Sequence, residues 1–113
     1  MRALENLDGT TWKEFLEAPT AVLMLGKSDC EACKAWTAEL EAFLASDARW
    51  PDVRFGKILL DQRGLIDFKR ANPWLGEVKD LPYTAIYVNG ERGKSFVGGG
   101  MDRLATRLSK VVG

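Results

Sequence analysis

Apolar residues along the chain follow two rhythms, and their alternation predicts most of the fold. Residues 20–25 (T-A-V-L-M-L) form a short, nearly unbroken apolar run, the pattern of a strand covered on both faces. Cys33, Trp36, Leu40, Phe43 and Leu44 then recur at helical spacing, which predicts a helix from about residue 30 to 46. Residues 53–61 are expected as a second strand. Residues 64–71, with Leu65 and Phe68, are expected as a short helix closed by Asn72-Pro73. Leu81-Pro82 opens a third strand over 83–88, residues 89–93 turn it into a fourth over 94–97, and Gly98-Gly99-Gly100 ends that strand. A last helix from about Asp102 turns Leu104, Leu108, Val111 and Val112 inward. Near the start, Thr10-Thr11 offers an N-cap for a short helix with Trp12, Phe15 and Leu16 on one face, stopped by Pro19.

The order α-β-α-β-α-β-β-α joins a right-handed parallel βαβ unit to an antiparallel hairpin. It predicts an α/β fold with a mixed central sheet of about four strands and helices on both faces. A chain of 113 residues with 46% hydrophobic content, no linker and no repeat is expected to be one domain, 1–113. Sixteen basic residues cancel sixteen acidic ones, so composition gives no reason to expect a nucleic-acid or membrane partner. The charge is nonetheless uneven: residues 1–52 carry five basic against ten acidic residues, and 53–113 carry eleven against six. No secretory-type apolar run opens the chain, and no stretch nears the length of a membrane span, so a cytoplasmic monomer is expected.

The sequence has no histidine, which excludes Ser-His and Cys-His nucleophile pairs and every histidine-bearing metal site. Its two cysteines, Cys30 and Cys33, form a lone C-x-x-C. Cys30 follows a buried strand and opens a helix, where unpaired backbone N–H groups and the helix dipole stabilise an anion. Cysteines in such places have a pKa of about 3.5 to 7.5, against roughly 8.5 when free. Cys33 lies nearly one turn on, close enough to meet Cys30, and shares the apolar face with Trp36 and Leu40. The more exposed Cys30 is therefore the candidate nucleophile and Cys33 the resolving thiol. The same pair also suits two small core residues, or half of a metal site shared between two chains. No metal and no bound cofactor are expected within the single chain.

Taken in order, residues 22–25, Cys30-Glu31-Ala32-Cys33, Lys57-Ile58-Leu59-Leu60-Asp61-Gln62, Leu81-Pro82, Asn89-Gly90-Glu91 and Val97-Gly98 resemble the thioredoxin family over nearly the whole chain. The resemblance implies a thiol–disulfide oxidoreductase that exchanges a Cys30–Cys33 disulfide with protein substrates and draws electrons from an external reductase or thiol donor. It implies that Pro82 is a cis-proline facing the cysteines. Leu81, Tyr83 and Gly98 would then border the substrate, with the Leu81 backbone pairing to an extended segment.

The chain departs from the family at several positions. Met24 stands where thioredoxins usually bury an aspartate that accepts the proton of the second cysteine, which implies slow resolution. Lys57 matches the lysine beside that aspartate, and parity puts it with Val53, Phe55 and Leu59 unless Gly56 resets the register. Asp29 replaces the usual tryptophan and Glu31-Ala32 the usual Gly-Pro, placing charges beside Cys30 that modulate its thiolate. Tyr83 replaces a small residue and is expected to narrow the groove. Residues 72–80, with Trp74, form an insertion expected to wall it. A thioredoxin-like binding or redox-sensing module without turnover is the alternative.

Overall fold

A computed structural model describes residues 2–112 of the chain. The sheet is built around β2 (Thr20–Gly26), every residue of which is buried. It pairs in parallel with β3 (Arg54–Leu59) and antiparallel with β4 (Tyr83–Val88), and β4 pairs antiparallel with β5 (Glu91–Val97). A fifth strand, β1 (Glu5–Asn6), lies parallel on β3, giving the order β1-β3-β2-β4-β5. The sheet therefore has five strands rather than about four. Two polar residues carry no strand periodicity, and only their apolar neighbours Leu4 and Leu7, buried on opposite sides of the sheet, betray the extended backbone.

Alternation along the strands sorts the core into two layers. Val22 and Met24 of β2, Phe55 of β3 and Ile86 of β4 face α2 (Glu31–Ser46) and α4 (Met101–Val112), meeting Trp36, Leu40, Leu104 and Leu108. Ala21, Leu23 and Leu25, with Ala85 and Tyr87, face α1 (Trp12–Leu16) and α3 (Ile66–Ala71), meeting Phe15, Leu65 and Phe68. The second layer closes on β3 where the backbone leaves no room. A Cβ on Gly56 would lie 2.8 Å from both Leu7 and Phe15.

Three local expectations are corrected, the first being Val112, expected to face inward on α4 but 38% exposed. Thr11 is the N-cap of α1, but its side chain makes no cap bond to the helix. Its hydroxyl donates instead to Asp8 Oδ1, which also accepts from the Thr10 N–H and hydroxyl. The hairpin turn is only Asn89-Gly90, both at positive φ, so β5 begins at Glu91 rather than 94. The inserted segment contributes a 3₁₀ turn, Pro73–Glu77, that carries Trp74.

Candidate functional site

The C-terminal ends of β2 and β3 and the start of α2 converge at one end of the sheet, and Cys30 sits there as the N-cap of α2. Its extended backbone, at φ −110° and ψ 111°, turns its Sγ back over the first helical turn, where it accepts the Cys33 N–H at 3.1 Å. That donor is one of the unpaired groups every helix start leaves, so the helix itself supports charge on this sulfur. The two cysteines are joined in a disulfide with Cα atoms 5.2 Å apart. Cys33 is fully buried against Trp36 and Met24, whereas Cys30 is half-buried, so the two sulfurs differ in access as their positions predict. Gly26 makes this packing feasible, because a Cβ there would approach Cys33 Sγ to 3.2 Å.

The loop between β2 and α2 is tied down by Asp61, just past β3. The Asp61 carboxylate accepts the Ser28 N–H at 3.2 Å and the Ser28 hydroxyl, and this hydrogen bonding holds its pKa below the usual carboxylate range. Asp29 and Glu31 both lie exposed beside Cys30, and Glu31 pairs with Lys34 at 3.3 Å.

Across from Cys30, the Leu81–Pro82 peptide bond is cis, and the Leu81 carbonyl oxygen lies 3.9 Å from Cys30 Sγ. Pro82 in turn accepts the Gly98 N–H at 2.6 Å, which clamps the end of β5 to the start of β4. An open cleft of about 400 Å³ runs between these segments and α2, lined by Ala32, Trp36, Leu81, Pro82 and Gly98 to Gly100. Its floor is held by a relay of hydrogen bonds. Trp36 Nε1 donates to Thr84 Oγ1 at 3.0 Å, and the Thr84 hydroxyl donates to the Gly98 carbonyl at 3.2 Å. The backbone at Gly99 lies so close to the indole that a Cβ would stand 2.5 Å from Trp36 Cγ. The sequence singled out the glycines but not Thr84, since threonine is an ordinary strand residue and only its complete burial marks it.

A chain with this topology, this cysteine placement and this cleft has counterparts among solved structures. No family profile matches it, and neither does any curated protein sequence. Thioredoxin f2 of Chlamydomonas reinhardtii superposes with a TM-score of 0.74 at 26% identity, covering 96% of this chain and 95% of that one. The long form of thioredoxin f from spinach chloroplast gives 0.79 at 17% identity, with 98% and 88% covered. Oxidised mitochondrial thioredoxin 3 of Saccharomyces cerevisiae gives 0.71 at 19%, with 95% and 94% covered. The chain is thioredoxin-like in fold. Such neighbours, together with the Cys30–Cys33 pair, support a thiol–disulfide oxidoreductase in general terms. Among the described residues no helix is long and apolar enough to cross a membrane.

Two departures of this thioredoxin-like chain are resolved by the geometry. Lys57 keeps its parity, because β2 and β3 stay in unbroken register through Gly56, with Lys57 opposite Met24. It lines a recess of about 320 Å³ on the α2 side with Cys33, Thr37, Glu41 and Lys27. Met24 is fully buried behind it, its thioether 3.9 Å from the Thr37 hydroxyl. Tyr83, by contrast, does not narrow the cleft. It shares the strand face of Ala85 and Tyr87, so its ring turns to the α1–α3 side and packs on Trp74 at 5.8 Å, with its hydroxyl donating to Ser95 Oγ at 2.8 Å. The inserted Trp74 accordingly walls the opposite layer, where the Arg92 guanidinium covers it at 4.0 Å.

Proposed function

We propose that the chain is a cytosolic, monomeric, single-domain thiol–disulfide oxidoreductase acting on protein disulfides. The observation that carries the reading is the placement of Cys30 Sγ. It is half-exposed at a helix N-cap, within hydrogen-bond reach of the Cys33 N–H, and beside a backbone edge at Leu81 that borders an open cleft.

In the reducing direction the Cys30 thiolate attacks one sulfur of a substrate disulfide. The bond formed is a Cys30–substrate disulfide, and the other substrate sulfur leaves as a thiolate that takes up a proton. Cys33, deprotonated in turn, attacks Cys30 Sγ, and the second substrate sulfur leaves. The substrate gains two electrons and two protons, and the Cys30–Cys33 disulfide is the oxidised product. Leu81 and Gly98 border the extended substrate segment, and Pro82 holds it against the cysteines. Asp29 and Glu31 oppose thiolate formation at Cys30, while the helix terminus favours it. Lys57, in the recess behind Cys33, favours the Cys33 thiolate electrostatically. Reduction for the next cycle comes from an external reductase or thiol donor. A solved complex of thioredoxin f2 with ferredoxin:thioredoxin reductase, matched at a TM-score of 0.76 and 16% identity, supports a reductase as partner.

The test is trapping. Cys33→Ser is expected to accumulate a mixed disulfide through Cys30 with protein partners, and the unaltered chain to reduce insulin disulfides where Cys30→Ser does not. Absence of both adduct and insulin reduction refutes the enzyme reading. Met24 favours a second reading, a redox-sensing or binding module, because no carboxylate adjoins Cys33 from β2. That reading expects partner binding to survive substitution of both cysteines by serine.

A further inference from the structure

The charge imbalance along the chain condenses in space into a basic strip beside the cleft. β5 and α4 together carry five basic residues against two acidic ones. Arg103 and Arg107, one helical turn apart, both lay their guanidinium groups on the ring of Phe96, at 4.6 and 4.7 Å from its centroid. Arg103 Nη1 also reaches the Gly99 carbonyl at 3.4 Å, which puts this charge on the rim of the cleft. Lys94, two residues before Phe96, is exposed on β5 where the β4–β5 ladder bulges between the Ala85–Ser95 and Tyr87–Arg92 pairs. Among the described residues, none of these three cations makes an ion pair. One acid, Glu39, lines the cleft itself and is held at the start of α4, where it accepts the Met101 N–H at 2.9 Å. At the other end of the cleft Asp29 and Glu31 flank Cys30. Basic charge therefore gathers beyond the glycine rim, where Arg103 and Arg107 lie on Phe96, while acidic charge flanks the nucleophile.

We propose that this strip receives an acidic segment of the disulfide-bearing partner, the residues beside the cystine that run over Gly98 and Gly99 toward α4. The inference rests on the oxidoreductase reading and names its substrate class. Stacking on Phe96 holds both guanidinium planes in place before binding, so less side-chain freedom is lost when a carboxylate docks. The planar fork then leaves N–H groups at its edge for bidentate pairing. The same charges steer acidic partners toward the cleft and slow basic ones.

The experiment uses three disulfide-linked peptides that differ only in the run of residues on one side of the cystine: glutamates, glutamines or lysines. Their reduction by the full chain, recycled with dithiothreitol, is followed at low and high ionic strength. At low ionic strength the glutamate peptide is expected to show a kcat/KM about tenfold above the glutamine peptide, and the lysine peptide a lower one. High salt should shrink the difference. In the double variant Lys94→Gln/Arg107→Gln the glutamate advantage should fall to about two- to threefold, with the glutamine peptide unchanged as the control for folding. Arg107→Lys should keep only part of it, because an ammonium retains the charge but neither stacks on Phe96 as a plane nor pairs bidentately.

Equal rates for the glutamate and glutamine peptides at low salt overturn the proposal, as does a preference that the double variant leaves intact. Failure to reduce any of the three overturns the oxidoreductase reading instead. The strip is then judged by its binding of a fluorescent, cysteine-free glutamate peptide, expected to weaken in the double variant. A single-stranded oligonucleotide that binds more tightly than the glutamate peptide also refutes the acidic-segment assignment.

Discussion

Thr84 is fully buried and connects the indole of Trp36 to the carbonyl of Gly98, so its hydroxyl and its methyl can be weighed separately. Thr84→Val keeps the volume and removes both hydrogen bonds. The Trp36 N–H, on a side chain only 2% exposed, is left without an acceptor, which costs about 1–3 kcal/mol. The Gly98 carbonyl borders the open cleft, where water replaces the lost donor, and adds about 0.5 kcal/mol. Thr84→Ser keeps both bonds and removes one buried methyl, for about 1 kcal/mol including the small cavity. Valine is therefore expected to destabilise by about 1.5–3.5 kcal/mol, centred near 2.5, and serine by about 1, although valine is the better strand former. For a chain of this length the gap amounts to roughly 4–8 °C in Tm. Urea unfolding followed by tryptophan fluorescence measures it, with an unchanged m-value showing that both variants unfold to the same state. A valine variant as stable as the serine variant, or more so, would refute the claim that hydrogen bonding rather than packing holds the cleft floor.

Gly56→Ala drives a methyl into Leu7 and Phe15 and should destabilise by about 1–3 kcal/mol, whereas Gly76→Ala, with nothing within 4 Å, should stay within about 0.5 kcal/mol. Both are read from urea midpoints. Tyr87 carries the only buried side-chain polar atom without a partner among the described residues, so Tyr87→Phe is expected to raise stability by about 1 kcal/mol. Burial also pushes the Tyr87 hydroxyl from its ordinary value of 10 up to about 12. Because the unfolded tyrosine ionises first, stability is unaffected by this group's titration below pH 10 and declines as pH climbs toward 12, so the phenylalanine variant should show a shallower alkaline decline in unfolding midpoint. Asp61 and Glu14 are held below their ordinary values, by the Ser28 hydroxyl and by the Arg54 guanidinium respectively. The unfolded chain therefore takes up protons first, and the stability these groups give is present above about pH 4.5 and falls away as the pH drops below it. Asp61→Asn should flatten that acid slope in midpoints measured from pH 7 to 3.

Legibility followed the length scale of each signal. The periodicities of β2, α2 and α4 span whole elements, so they named the layers and put Cys30 at a helix start without any tertiary information. β1 escaped because two polar residues paired on β3 have no period, and the cap of α1 escaped because Asp8 competes for the threonine hydroxyls. Tyr83 illustrates a different gap. Counting from buried Ala85 and Tyr87 gives its face, but substitution against a family pattern says only that the residue is large, not which side of the sheet it enlarges. The sequence showed a charge imbalance between its halves, which alone fits a mixing of the halves in space as well as a basic face. Its meaning needed the fold, because Phe96 and Arg103 meet only once β5 and α4 are packed.

The division of the core by the sheet carries a consequence for how such a chain changes over evolutionary time. The cysteines, Trp36 and the glycine loop draw on one layer, while the inserted 3₁₀ turn with Trp74 and Tyr83 draws on the other. Substitutions in separate layers add with little coupling, so the second layer is free to accumulate insertions while the first keeps its chemistry. Leu81 packs against both layers. It lies within 4 Å of Cys30, at the point where novelty in one half is first felt by the other.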